Sequence, residues 1–119
     1  MGSPCMRTDA VIIRKMLKYC DDATKYVSGM EYEAFIGNEL YLTFTAFALS
    51  QLGEMASRFD DSFYERYPQV PWRAMRGMRN RIVHNYDGVQ FATLWDVLTH
   101  DIPPLRVQLK EILGHVDSE

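Results

Sequence analysis

The stretch EYEAFIGNELYLTFTAFALSQLGEMASR, Glu31 to Arg58, decides how this chain folds. Ile36, Leu40, Phe44, Phe47 and Met55 recur at the spacing of one face of an α-helix, and only Gly37-Asn38 near the start interrupts the pattern. The stretch therefore predicts a central core helix over about 31–58 with that stripe packed inward. Glu54 falls on or beside the stripe, and a carboxylate removed from water needs a partner.

Working outward, Ile12, Met16, Tyr19 and Ala23 follow a possible cap at Thr8 or Asp9 and predict a first helix over about 9–27, stopped by Ser28-Gly29. Segment 59–71 mixes aromatics, Asp60-Asp61 and two prolines, and reads as a loop with one helical turn at about 62–67. Pro71 suits the first turn of a third helix that should end near Tyr86-Asp87-Gly88, since glycine readily takes the left-handed conformation of a helix stop. Phe91, Leu94, Trp95, Leu98, Leu105, Leu109, Ile112 and Leu113 continue the helical period, and Pro103-Pro104 should kink or break that last helix. Trp72 and Trp95 are expected core anchors. No useful β alternation, repeat or low-complexity tract is present. The expected architecture is all-α: an up-and-down bundle of four main helices, the last one kinked.

At 119 residues and 47% hydrophobic, the chain has apolar material for one core. Its formal charge of −3 gives no global field to attract nucleic acid, so any such contact must be local. Cys5 and Cys20 lack metal-ligand spacing and are too few for a disulfide framework, which points to a reducing, cytoplasmic compartment. No run is apolar over a membrane-spanning length. Glu111 and His115 lie one turn apart, but a metal site in a bundle needs a second such pair, and none is evident, so neither metal nor cofactor is expected.

The chemistry gathers in RNRIVHNY, Arg79 to Tyr86. On a helix, Arg73, Arg76, Asn80 and His84 share one arc with Arg81 at its margin, while Met75, Met78 and Ile82 take the opposite arc. Arg79 projects about 140° from His84, on a side where it must meet a carboxylate or another protomer. Arg73, Arg76 and Arg81 alone could be a solvated face, and Arg79 alone a structural partner of Glu54. His84 near a helix C-terminus feels a dipole favouring its protonated form, which the nearby arginines oppose. The Phe63, Tyr64 and Tyr67 cluster could stack on bases or simply pack beneath a loop.

The segment Arg79 to Tyr86 resembles the R-x4-H-x-Y motif of HEPN-domain ribonucleases, in particular the HepT toxins that pair with MNT nucleotidyltransferases. Leu52-Gly53-Glu54, Val70-Pro71-Trp72, Gly77-Met78-Arg79-Asn80 and Asp101-Ile102-Pro103-Pro104-Leu105 extend the likeness across about 9–115. The resemblance implies a HEPN helical bundle over 9–116, preceded by a disordered or expression-derived 1–8, and a homodimer with a composite site. It implies a metal-independent ribonuclease toxin that cleaves tRNA or mRNA, or trims RNA 3′ ends, with Arg79 and His84 catalytic and Asn80 beside them. Tyr86 would be the residue AMPylated by the MNT antitoxin, with Glu54, Arg76 and Arg73 in supporting positions. Two other expectations stay open: a non-catalytic HEPN-like binding subunit or substrate of a nucleotidyltransferase, and an adaptor that only dimerises.

Overall fold

The computed structural model describes residues 4–84 and 91–118, with side chains described over 8–80 and 91–117. Among these residues the chain is all-helical, without a strand. None of the described helices is long and apolar enough to cross a membrane.

Helix α1 spans Pro4–Thr24, starting ahead of the expected cap. A proline is well suited to a first turn, where its missing N–H has no intrahelical partner to lose. The face made by Ile12, Ile13, Met16, Cys20 and Ala23 is buried. The helix ends earlier than its periodicity suggests: Thr24 donates its hydroxyl to the Cys20 carbonyl at 2.8 Å, and a short 3-10 turn, Val27–Gly29, follows.

The expected helix over 31–58 is two helices, α2 (Tyr32–Ile36) and α3 (Glu39–Ala56). Asn38 separates them in an extended conformation, and its Oδ1 accepts the Tyr41 N–H at 3.0 Å. An asparagine that satisfies a first-turn donor favours starting a helix over continuing one.

The packed arc of α3 also differs from the expected stripe. Tyr41, Leu42, Thr45, Ala46, Ala48, Leu49, Leu52, Met55 and Ala56 are buried, whereas Leu40 is 85% exposed, Phe47 55% and Phe44 43%. Ile36 likewise lies at the surface, and of the expected stripe only Met55 is inside. Small residues explain the choice: Ala46, Ala48, Gly53 and Ala56 let neighbouring helices approach α3 closely, which the bulky stripe would prevent.

Helix α4 (Asp61–Arg66) matches the expected turn, with Asp60 Oδ1 accepting the Phe63 N–H at 3.0 Å. It belongs to an aromatic knot. Phe59 stacks on Phe63 at 3.9 Å, Tyr64 stacks on Trp72 at 5.2 Å, and the Trp72 indole N–H donates to the Tyr67 carbonyl at 2.9 Å. The Tyr64 hydroxyl donates to the Ala56 carbonyl at 2.7 Å. These ties fix the turn between α3 and α5 (Trp72–His84), where the Trp72 N–H donates to the Val70 carbonyl at 2.9 Å and the Met75 N–H to the Pro71 carbonyl at 3.1 Å. The expected stop at Tyr86-Asp87-Gly88 lies outside the described residues.

Helix α6 (Phe91–Asp96) passes through a π-helical turn, Val97–Asp101, into α7 (Ile102–Ser118). Pro103 and Pro104 offer no N–H to the turn before them, and the chain accommodates this by widening: Ile102 donates to the Val97 carbonyl, one residue further back than in an α-helix. Helical structure thus continues through the prolines instead of breaking. Ile102, Leu105, Leu109, Ile112 and Val116 then pack α7 onto α1. The ion pairs Arg14–Asp117 and Arg106–Asp21 set these two helices antiparallel.

Candidate functional site

The site is built where α5 crosses α3. Trp72 at the start of α5 lies against Phe59, beyond the end of α3, while Arg79 lies over Gly53 and Glu54, so the two helices run antiparallel. Gly53 makes the approach possible. A Cβ at this position would stand 2.5 Å from both the Arg79 Cβ and the Met75 carbonyl oxygen, closer than packed atoms allow. A glycine inside a helix costs about 1 kcal/mol against alanine, and close helix contact is the return on it.

With its stem set on Gly53, Arg79 reaches Glu54: Nε stands 3.0 Å from Oε2. Nη1 donates to Asn80 Oδ1 at 2.7 Å. The guanidinium is therefore held at two edges by groups on two helices, and a planar fork gripped this way has a defined plane. Both members of the ion pair are 37% exposed, so solvent screens it and its direct contribution to stability is at most about 1 kcal/mol. Its effect is to orient the arginine.

The structure thus brings together three of the residues singled out in the sequence, Arg79, Asn80 and Glu54. Arg73 and Arg76 are exposed on α5. His84 is the last residue of α5, with its ring outside the described side chains, and Tyr86 lies outside the described residues. Gly53 is the functional position that sequence reasoning treats only as a landmark. A glycine in the middle of an otherwise unbroken apolar helix is the signal that could identify it.

Other candidates resolve into packing. Phe63, Tyr64 and Tyr67 are buried in the aromatic knot. His115 places Nδ1 2.7 Å from the Tyr67 hydroxyl and its ring edge-on to the phenol. Cys20 is fully enclosed, and burial pushes its thiol up to about 12, so it is no nucleophile at neutral pH. Beside the Arg79 crossing, a cleft of about 400 Å³ between α3, α5 and α7 is lined by Leu52, Met75, Met78 and Leu105, with Gln69 and Asp101 among its polar groups.

The model of the family described as HepT-like, Ribonuclease HepT-like, matches residues 16–112. A protein of Caldanaerobacter subterraneus subsp. tengcongensis named Putative RNase TTE0752 is 30% identical over 108 residues, covering 91% of this chain and 96% of its own. Putative RNase MJ1216 of Methanocaldococcus jannaschii is 29% identical over 104 residues, 87% of this chain and 86% of its own. Probable ribonuclease HepT of Thermococcus cleftensis is 34% identical over 65 residues, 55% of this chain and 59% of its own. No solved structure matches the chain. On the strength of a match that runs from α1 to α7 and includes the Gly53–Glu54–Arg79 crossing, the chain belongs to the HepT-like ribonuclease family.

Proposed function

We propose that this protein is a metal-independent ribonuclease toxin, cleaving RNA at a composite site formed by two copies and neutralised when an MNT nucleotidyltransferase antitoxin AMPylates Tyr86. The observation that carries this is the two-sided grip on Arg79, one and a half turns before His84 on the same helix. The names of the relatives, Putative RNase and Probable ribonuclease HepT, support the ribonuclease part of this reading.

Cleaving RNA without a metal requires a base for the 2′-hydroxyl, an acid for the leaving 5′-oxygen, and positive charge facing the phosphorane. Arg79 supplies the charge. Because Glu54 and Asn80 fix its plane, little ordering remains to be done as the transition state forms, which is the advantage of a preorganised donor. His84 serves in proton transfer, and a two-fold axis provides the second imidazole that simultaneous acid and base roles need. Arg73 and Arg76, exposed on α5, draw the RNA backbone in. AMP on Tyr86 would put a phosphate and a base beside Arg79 and His84, filling the place of the RNA phosphate.

Purified protein incubated with RNA in EDTA should cleave it, and His84→Ala should not. Equal cleavage by both proteins would remove His84 from the chemistry. Incubation with the antitoxin and ATP should add AMP mass to the wild type and none to Tyr86→Phe. An unchanged mass on the wild type would remove the regulatory half of the proposal.

A further inference from the structure

We propose that the cleft between α5 and α7 binds a small organic cation, a molecule with a flat apolar body and a protonated amine that pairs with Asp101. The cleft exists because each of its long walls packs elsewhere: α5 lies on α3 and α7 on α1, which leaves α5 and α7 facing each other across open space. Its volume of about 400 Å³ is in the range of small-molecule sites. Leu52, Met75, Met78, Ile102 and Leu105 give it apolar sides, and the thioethers of the two methionines suit contact with an aromatic ring. Gln108 ties one end, where its Nε2 donates to the Gln69 carbonyl at 3.0 Å. Asp101 lines the cleft about 10 Å back along α7, two helical turns from that tie.

The occupant follows from the state of Asp101. A carboxylate just ahead of a helix ordinarily accepts backbone N–H groups two and three residues on. Here those residues are Pro103 and Pro104, which have none to give. The Ile102 N–H, next in line, bonds to the Val97 carbonyl. Among the described residues no hydrogen bond or ion pair engages the Asp101 carboxylate: Arg106 is taken by Asp21, and His100 is bonded to Thr99. Asp101 is also the only charged residue among those described on the cleft wall. One carboxylate repels a phosphate and is too small a donor set for a metal ion, whereas an amine beside an apolar body matches both the charge and the walls. The π-helical turn that Asp101 ends is of a kind found mostly at functional sites.

This cleft is a different place from the proposed catalytic face. Met75 and Met78 lie about half a turn round α5 from Arg73, Arg76 and Asn80, on the opposite side of the helix. RNA drawn along those arginines does not reach it. The stretch Asp101-Ile102-Pro103-Pro104-Leu105, which the catalytic reading leaves without a part, acquires one here.

The test is titration calorimetry at neutral pH with naphthylmethylamine, naphthylacetate and methylamine as probes. Wild type should bind the naphthyl amine at least about tenfold more tightly than the naphthyl carboxylate, the difference expected of one charge-assisted hydrogen bond, and should not detectably bind methylamine. Asp101→Asn, nearly the same in shape, should lose that preference with its helicity unchanged in circular dichroism. Ala74→Trp fills the cleft from an exposed position, so it should fold and bind neither naphthyl probe. Methyl NMR spectra locate the site independently of any variant: the amine should shift the Met75 and Met78 signals and leave that of Met16, buried on α1, in place. No binding of the amine by wild type, equal binding of amine and carboxylate, a preference that survives Asp101→Asn, binding that survives Ala74→Trp, or shifts that spare Met75 and Met78 would overturn the site. None of these readouts involves RNA cleavage, so the cleft and the ribonuclease proposal fail separately.

Discussion

Gly53 and Arg79 meet where α3 and α5 cross, and a single added methyl on Gly53 would stand 2.5 Å from the Arg79 Cβ. Two effects then compete in Gly53→Ala. Helix propensity favours alanine by about 1 kcal/mol. Overpacking costs about 1–3 kcal/mol, and here the high end applies because one of the obstructing atoms is the Met75 carbonyl oxygen, which cannot move without its helix. We expect a net loss of about 1–2 kcal/mol in urea denaturation, and with α5 pushed outward a marked fall in RNA cleavage. A Gly53→Ala protein more stable than wild type would show that the crossing is looser than described.

Glu54 separates structure from positioning. Its ion pair with Arg79 is partly exposed, so Glu54→Gln should change unfolding free energy by no more than about 1 kcal/mol. RNA cleavage should nevertheless fall by an order of magnitude or so through kcat, with KM little altered, because an unrestrained guanidinium must be ordered during the reaction. Glu54→Asp, which keeps the charge on a shorter stem, should recover part of the rate. If Glu54→Gln lowers stability and activity in proportion, the carboxylate is only holding the helices together.

The same residues show how far the sequence could be read. An arginine on the far side of its helix requires a partner, and Glu54 supplies it, although the stripe beside Glu54 is exposed and the carboxylate is not removed from water as expected. Helical periodicity also suffices for the all-α class and for the turn at Asp61–Arg66. Periodicity cannot say which arc of α3 is packed, because apolar residues lie nearly all round it: the choice against Leu40, Phe44 and Phe47 rests on how closely Ala46, Ala48 and Gly53 allow neighbours to come. Gly37-Asn38 is visible as an interruption, but only the Asn38 cap on Tyr41 turns it into a boundary. The π-helical turn ahead of Pro103-Pro104 has a similar origin, since missing donors can be met by breaking a helix or by widening it, and the packing of Val97 and Leu98 into the core selects widening.

Cys20 provides a pH-dependent prediction. Burial holds its thiol neutral up to about 12, whereas in the unfolded chain it ionises near its ordinary value of 9.0. Since the folded value is raised, the contribution to stability is complete below pH 9.0 and is lost as pH rises towards 12. Between pH 8 and pH 10 the loss should be about 1 kcal/mol, and Cys20→Ala should show a correspondingly shallower decline in denaturation midpoint. A thiol reagent at pH 8 should leave native Cys20 unmodified and react with it in denaturant. Rapid modification of Cys20 in the native protein would contradict its enclosure by α1 and its neighbours.

Arg79→Lys tests whether charge alone is enough. A lysine keeps the positive charge but presents one ammonium, so it cannot meet Glu54 and Asn80 from two edges of a plane at once. If catalysis needs only a cation near the phosphate, Arg79→Lys should retain most of the wild-type rate. If the planar grip matters, the lysine variant should resemble Arg79→Ala, with both folded to within about 1 kcal/mol of wild type because the pair is screened by solvent. We expect the second result, a loss in kcat of about a hundredfold or more in each variant, the scale seen when a preorganised transition-state donor is removed. A lysine variant that cleaves RNA within a few-fold of wild type would reduce the Glu54–Arg79–Asn80 arrangement to a surface feature of the helix crossing.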